Sequence, residues 1–430
     1  MSTSRRSFLK TAALLGGAPA LSRFQAMAAP VQGKVKITDV KVMVLQGPRT
    51  YTLIKVLSDS GLYGIGEGYG SPGVGVKEGV LELRENFLGK DPLDIEPLYV
   101  NPPFRTDGSA HMLLRAMSGI EMAVWDLAGK ILGVPVATLL GGKFRTRVRM
   151  YHDEGPRNML DKASCRDWAA RMKASPAGWT AFKIAGPRSG PPPVGARGSS
   201  GAPAPGGPPP RMQRARPNRL YSRKELTEIQ QGFENCREAI GWDYDLMFHG
   251  QWDYDLVSAI QLSQALESSK PLWIEDPMPP DFSNAWVELT RLSKVPILTG
   301  ENLARRQGFA DFILQKGLHI AQLDVRNTGG LLESKKIADL ADMNLIPMCA
   351  HDSGSVVNNY ATLQWACAVR DFLAAETMIG RGDWMDDVVV HDGPIFKDGY
   401  MTLPDKPGLG IELNPDVVKA HLAAGETYWG

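Results

Sequence analysis

The sequence predicts an α/β chain: a modified (β/α)8-type, TIM-like barrel behind a smaller N-terminal α+β domain. Three observations predict it. Short apolar strands alternate with helical stretches from about Val148 onward. A meander of alternating apolar and polar residues, followed by helical spacing, precedes them. A polar, chemically able residue closes each of the later strands at a nearly constant interval. The 430 residues carry 48 Lys+Arg against 47 Asp+Glu, with 43% hydrophobic and 22% charged residues. Such ordinary globular composition excludes wholesale disorder and collagen-like or coiled-coil chains. A near-zero net charge removes the long-range field a nucleic-acid binder would use. No apolar run is long enough for stable membrane insertion. Cys165, Cys236, Cys349 and Cys367 are scattered without CxxC spacing, so neither a zinc knuckle nor a disulfide framework is signalled.

The elements follow in order. Residues 1–28 read as an export signal. Ser4-Arg5-Arg6-Ser7-Phe8-Leu9-Lys10 opens a short apolar stretch that ends in Ala26-Met27-Ala28. The paired arginines are of the twin-arginine type, whose route carries folded proteins, so a periplasmic or otherwise exported location is expected. Residues 34–70 alternate as an antiparallel meander punctuated by Gly61 and Gly64, and residues 76–140 show helical spacing. Together they make an α+β domain over 34–145. From 146 to 384 the βα alternation predicts a parallel sheet closing as a barrel. The Pro/Gly/Arg-rich stretch 187–222 has too few large apolar side chains to offset the entropy of ordering. It reads as a disordered insertion, or as a basic lid over an anionic ligand.

The strongest signal is the ladder His249, Glu275, Glu301, Asp324, His351 and Glu376, spaced by 23 to 27 residues. One βα unit of a barrel takes about that length, so the six side chains should ring the C-terminal mouth, where barrel active sites lie. Glu275 and Glu301 end neighbouring strands. Two facing carboxylates invite a hard divalent cation, with Mg²⁺ the default. Asp324 and His351 end the next two strands. A carboxylate beside an imidazole fixes its tautomer and raises its basicity, as general-base chemistry requires.

These motifs resemble the enolase superfamily in its mandelate racemase/muconate lactonizing enzyme-like branch, across nearly the whole chain outside the insertion. The resemblance rests on Gly64-Ile65-Gly66-Glu67-Gly68, the Ala123–Lys130 helix, Leu139-Leu140-Gly141-Gly142, and the ladder with its Glu275-Asp276-Pro277 and Gly300-Glu301-Asn302 contexts. It implies a TIM-like barrel under a capping domain, with 385–430 returning to the cap. It also implies a homo-oligomer acting on a small acid. The shared chemistry is metal-assisted removal of the proton alpha to a carboxylate. Glu275 and Glu301 carry over as ligands of Mg²⁺ or of Mn²⁺ or another divalent ion, His351 as base, Asp324 as its orienter, and Glu376 as a partner of the substrate carboxylate.

Two departures shape the functional reading. Phe182-Lys183-Ile184-Ala185 keeps only the first lysine of a Lys-x-Lys pair. No base then faces the opposite side of the carbon, which disfavours racemisation. Lys183 balances charge at the site or is a surface lysine. On the third barrel strand, Met247 stands where the family has a ligand aspartate. The third ligand is then His249 or Asp245. His249 is alternatively the acid that protonates a departing hydroxyl, or a structural histidine. A lone base with a separate acid suits elimination, so the leading expectation is a sugar-acid dehydratase, a hydro-lyase making a 2-keto-3-deoxy acid. The alternatives are an epimerase or cycloisomerase of the same superfamily, or a sugar-acid-binding relative without chemistry. The loop Tyr69–Gly75 is expected either to touch substrate or to be a plain turn.

Overall fold

The computed structural model describes residues 33–70, 75–100, 112–186, 220–378 and 383–429. The export segment, positions 71–74 and most of the 187–222 insertion lie outside the described residues. The meander is a three-stranded antiparallel sheet of β1 (Ile37–Gln46), β2 (Thr50–Ser58) and β3 (Tyr63–Gly68). The helix Met112–Leu132 packs against β3. Glycines permit the close approach. A Cβ on Gly64 would lie 1.9 Å from the Ala123 carbonyl oxygen, and one on Gly66 would lie 2.3 Å from that of Gly119. With every second β3 residue a glycine on the helix side, Glu67 and Tyr69 are left to face the barrel.

The barrel comprises β4 (Arg147–Asp153), β5 (Ala181–Ala185), β6 (Asp245–His249), β7 (Ile274–Glu275), β8 (Ile297–Thr299), β9 (Ile320–Leu323), β10 (Met348–Ala350) and β11 (Phe372–Met378). All eight are parallel, and the Ala375↔Met150 to Met378↔Asp153 pairing of β11 with β4 closes them. Helices link successive strands up to β11. The chain then forms β12 (Phe396–Lys397) and β13 (Tyr400–Thr402), and β13 pairs antiparallel with the start of β4. From there it returns to the first domain, where Leu422 bridges Leu45 and Tyr63 donates a 2.6 Å hydrogen bond to Glu412.

Tyr151, Ala181, Met247, Trp273, Leu298, Ile320, Cys349 and Ala374 form one buried apolar cluster. Each barrel strand supplies one of them, Trp273 from the residue before β7. This layer plugs the barrel, so a polar residue further along each strand emerges into the mouth above it. The insertion ends earlier than its composition suggests. Tyr221 stacks on Tyr254 with ring centroids 4.4 Å apart, and Ser222 forms a capping box with Glu225 that starts the helix Arg223–Ile240. A serine counted among the loop-like residues is in fact a helix start signal.

Glu121 ties the two domains together. From the helix Met112–Leu132 it accepts hydrogen bonds from the Leu331 and Leu332 N–H groups (2.8 and 3.0 Å), at the start of the barrel helix Gly330–Met343. Burial pushes its pKa from 4.5 up to about 7, although the Leu332, Leu331 and Trp125 donors oppose the shift. Between those two values the folded chain keeps a proton that the unfolded chain has lost, so stability falls as pH rises through that window. Wild type is expected to lose on the order of 3 kcal/mol relative to Glu121→Gln between about pH 4.5 and 7.5, with no further change above. Urea unfolding of both proteins across this range measures it; parallel pH profiles would contradict it.

Candidate active site

The six ladder residues ring the mouth: His249 and Glu275 end β6 and β7, Glu376 lies near the end of β11, Asp324 and His351 directly follow β9 and β10, and Glu301 stands two residues past β8. His249 pairs in register with Glu275 across β6 and β7. Asp276 follows with φ 45°, a left-handed conformation that a non-glycine residue adopts at a cost of about 1–3 kcal/mol. The turn breaks strand alternation, so adjacent residues Glu275 and Asp276 both aim into the mouth. Thr299 Oγ1 donates to Asp276 Oδ1 at 2.5 Å. Gly300, at φ 136°, brings Glu301 in from β8, and a Cβ there would meet the Gln322 carbonyl at 2.2 Å.

Ligand atoms of His249, Glu275, Asp276 and Glu301 all lie within 4.8 Å of one another. Asp276 and Glu301 are buried, and Asp276 Oδ2, Glu301 Oε2 and His249 Nε2 have no hydrogen-bond partner. Each such orphan costs about 1–3 kcal/mol. Burial and the neighbouring Glu301 and Glu275 push Asp276 well above the usual carboxylate range. Burial and Lys183 hold His249 below its ordinary value. Converging carboxylates and one imidazole, with one atom each of Asp276, Glu301 and His249 free of hydrogen bonds, are a donor set that fits a divalent cation.

The other predicted residues surround this cluster. Lys183 is 1% exposed and bridges Glu275 Oε1 and Glu376 Oε1, both at 2.8 Å. Burial opposes its charge, but the two carboxylates outweigh burial and hold the ammonium well above its usual range. The surface-lysine reading is therefore wrong. Lys183 and His249 likewise outweigh burial at Glu275 and hold its pKa at about 2. Glu376 is pushed up to about 7 by burial, against Lys183 and His351.

His351 Nδ1 lies 2.9 Å from Asp324 Oδ2, while Nε2 lies 3.4 Å from Glu301 Oε2 and 3.8 Å from Glu376 Oε2. The base candidate thus faces the cluster across the mouth. Asp245 does not join it. It begins β6 at the opposite end of the strand, is 42% exposed and pairs with Arg149 at 2.6 Å. Asp245 shares the strand parity of Met247 but lies two residues deeper, below the plug to which Met247 belongs.

Asp276, Arg326 and Glu67 contribute to the site without a role that the sequence signals. Asp276 was hidden by its left-handed turn, although Pro277 after it signals irregular backbone. Arg326, 1% exposed, clamps both oxygens of Asp324 (Nε 3.0 Å, Nη2 2.6 Å) and reaches Glu67 at 2.9 Å. Glu67 also accepts from the Ser355 N–H at 3.1 Å. Against burial, Arg326 and His351 keep Asp324 well below the usual carboxylate range. Tyr69 lies under the Arg326 guanidinium (4.7 Å) and stacks near His351 (6.4 Å), so cap and base share one wall.

The barrel and cap both have known relatives. Residues 165–417 match the enolase C-terminal domain-like family, and residues 34–141 match the mandelate racemase/muconate lactonizing enzyme N-terminal domain. The chain belongs to the enolase superfamily, in its mandelate racemase/muconate lactonizing enzyme-like branch. It is 32% identical over 396 residues to a D-xylonate dehydratase of Haloferax volcanii, covering 91% of this chain and 90% of that one. A D-galactonate dehydratase of Pectobacterium atrosepticum is 27% identical, covering 89% and 94%. Among solved structures, a mandelate racemase/muconate lactonizing enzyme-like protein from Rubrobacter xylanophilus superposes with a TM-score of 0.79 at 30% identity, covering 92% and 99%.

Removing Arg326 leaves Glu67 buried without its counter-charge and Asp324 with His351 alone. Arg326→Met is expected to cost about 3–5 kcal/mol in urea unfolding. A double-mutant cycle with Glu67→Gln should return a coupling of about 0.5–3 kcal/mol. Strict additivity would show that the two domains are not linked through this pair.

Proposed function

We propose that this chain eliminates water from a sugar acid, removing the proton alpha to the carboxylate and expelling the β-hydroxyl to give a 2-keto-3-deoxy acid. The observation that carries this reading is the His351–Asp324 pair opposed to the Glu275–Asp276–Glu301 cluster across one mouth. The relatives named as D-xylonate and D-galactonate dehydratases support the sugar-acid class. The absence of a second lysine at Ala185 supports elimination over inversion.

Glu275, Glu301 and their neighbours would hold a divalent cation, which would supply charge stabilisation for the enediolate that follows proton loss. The remaining work falls to the protein. Asp324 holds the His351 Nδ1–H; against burial, Glu301, Glu376 and Asp324 hold the imidazole above its ordinary range, and in its deprotonated form the Nε2 lone pair takes the α proton. Lys183 offsets Glu275 and Glu376, so an anionic substrate meets less negative charge. Glu376, with its raised pKa, carries a proton part of the time near neutrality and then donates to a substrate carboxylate oxygen. His249 belongs to the cation cluster, which argues against its serving as a free acid. We assign protonation of the leaving hydroxyl to His351, which already carries the abstracted proton. The proton and the hydroxyl leave together as water, and the enol gives up its O–H proton and takes one at the β carbon as it becomes the ketone. The twin-arginine-type segment supports export of the folded enzyme.

The test is a screen of five- and six-carbon aldonic acids in D₂O with added divalent cation, reading keto-acid formation. Turnover is expected on at least one acid, with loss on chelation. His351→Asn should lower it by about 10²–10⁴-fold with the fold intact by circular dichroism. Deuterium entering recovered substrate without keto acid would mark epimerisation and refute dehydration. Full turnover in His351→Asn would refute the base assignment.

A further inference from the structure

The donor set at the mouth contains a nitrogen, and that nitrogen has a structural cause. Met247 belongs to the apolar layer that plugs the barrel and is fully buried there. Asp245, four residues before His249, is at the far end of the strand on Arg149. Neither gives β6 an oxygen at the mouth. The inward-facing β6 residue at the level of Glu275 is His249, and its Nε2 is buried without a protein partner among carboxylates. Trp252 meets the His249 ring edge-to-face at 5.7 Å. Glu275, for its part, commits Oε1 to Lys183. The set facing a cation is therefore one imidazole with the carboxylates of Glu275, Asp276 and Glu301.

Mg²⁺ demands near-ideal octahedral oxygen coordination and dehydrates reluctantly. Imidazole suits first-row transition ions, and exchanging a carboxylate for it removes one negative charge from a site that must attract a hard cation. We propose that His249 is a cation ligand through Nε2 and that it biases this site toward a first-row transition ion over Mg²⁺. The proposal rests on the dehydratase reading only for the site's purpose; the coordination itself is independent of turnover.

The experiment loads chelator-stripped full-length protein with Mn²⁺ and records pulsed electron paramagnetic resonance. A directly coordinated ¹⁴N is expected in wild type and absent in His249→Asp. Calorimetric titrations of both proteins with Mn²⁺ and Mg²⁺ accompany the spectra. The ratio of Mn²⁺ to Mg²⁺ affinity should fall in His249→Asp, and His249→Ala should weaken Mn²⁺ by at least about 10–100-fold. No ¹⁴N coupling in wild-type protein overturns the proposal, whether or not the variants fold. An unchanged affinity ratio in a folded His249→Asp also overturns it. Nitrogen-coordinated Mn²⁺ without turnover on any sugar acid would leave the proposal standing and refute the dehydratase reading instead.

Discussion

Like charges crowded above an apolar floor are the constraint on which the rest of this molecule depends. Glu275, Asp276, Glu301, Asp324 and Glu376 are all buried at one barrel mouth, over a layer that contains Met247, Trp273 and Leu298. Carboxylates so placed either find counter-charges or take up protons. Lys183 is wedged between Glu275 and Glu376, and Arg326 clamps Asp324. The two cations divide the ring into halves. Asp276 and Glu301 each keep an oxygen that accepts no hydrogen bond, and that is the sector where the donor set fits a metal.

The first domain takes part in this charge balance. β3 presents glycines to its own helix and Glu67 to Arg326, so the cap shares in neutralising the cation that clamps Asp324. Tyr69, two residues on, covers the same guanidinium and approaches His351. The wall around the proposed base is therefore built from both domains. A change in how the cap docks would alter the support of Asp324, and through it the orientation of the imidazole. That coupling gives the interface a chemical consequence beyond the burial of apolar surface.

Much of this was legible in the sequence because a parallel barrel repeats. One βα unit has a nearly fixed length, so the strand ends recur and the ladder from His249 to Glu376 can be read as a ring before any coordinates exist. What could not be read depends on local backbone or distant partners. Asp276 looks outward-facing by alternation, and only its left-handed φ turns it inward. Arg326 pairs with Glu67 across 259 residues, and no periodicity links them. Asp245 illustrates the converse: alternation gives the correct side of a strand but not the depth, and the plug layer decides depth. Lys183 was ambiguous because a lysine in a short strand is ordinarily exposed; here two carboxylates hold it in the interior.

The account stands on one cation gathered by side chains from β6, β7 and β8 opposite the histidine of β10. Crystals of full-length protein grown with Mn²⁺ and measured for anomalous scattering test this most directly. A single strong peak among His249, Glu275, Asp276 and Glu301, facing His351, is the predicted result. Peaks confined to the protein surface, with those four side chains turned to other partners, would contradict it.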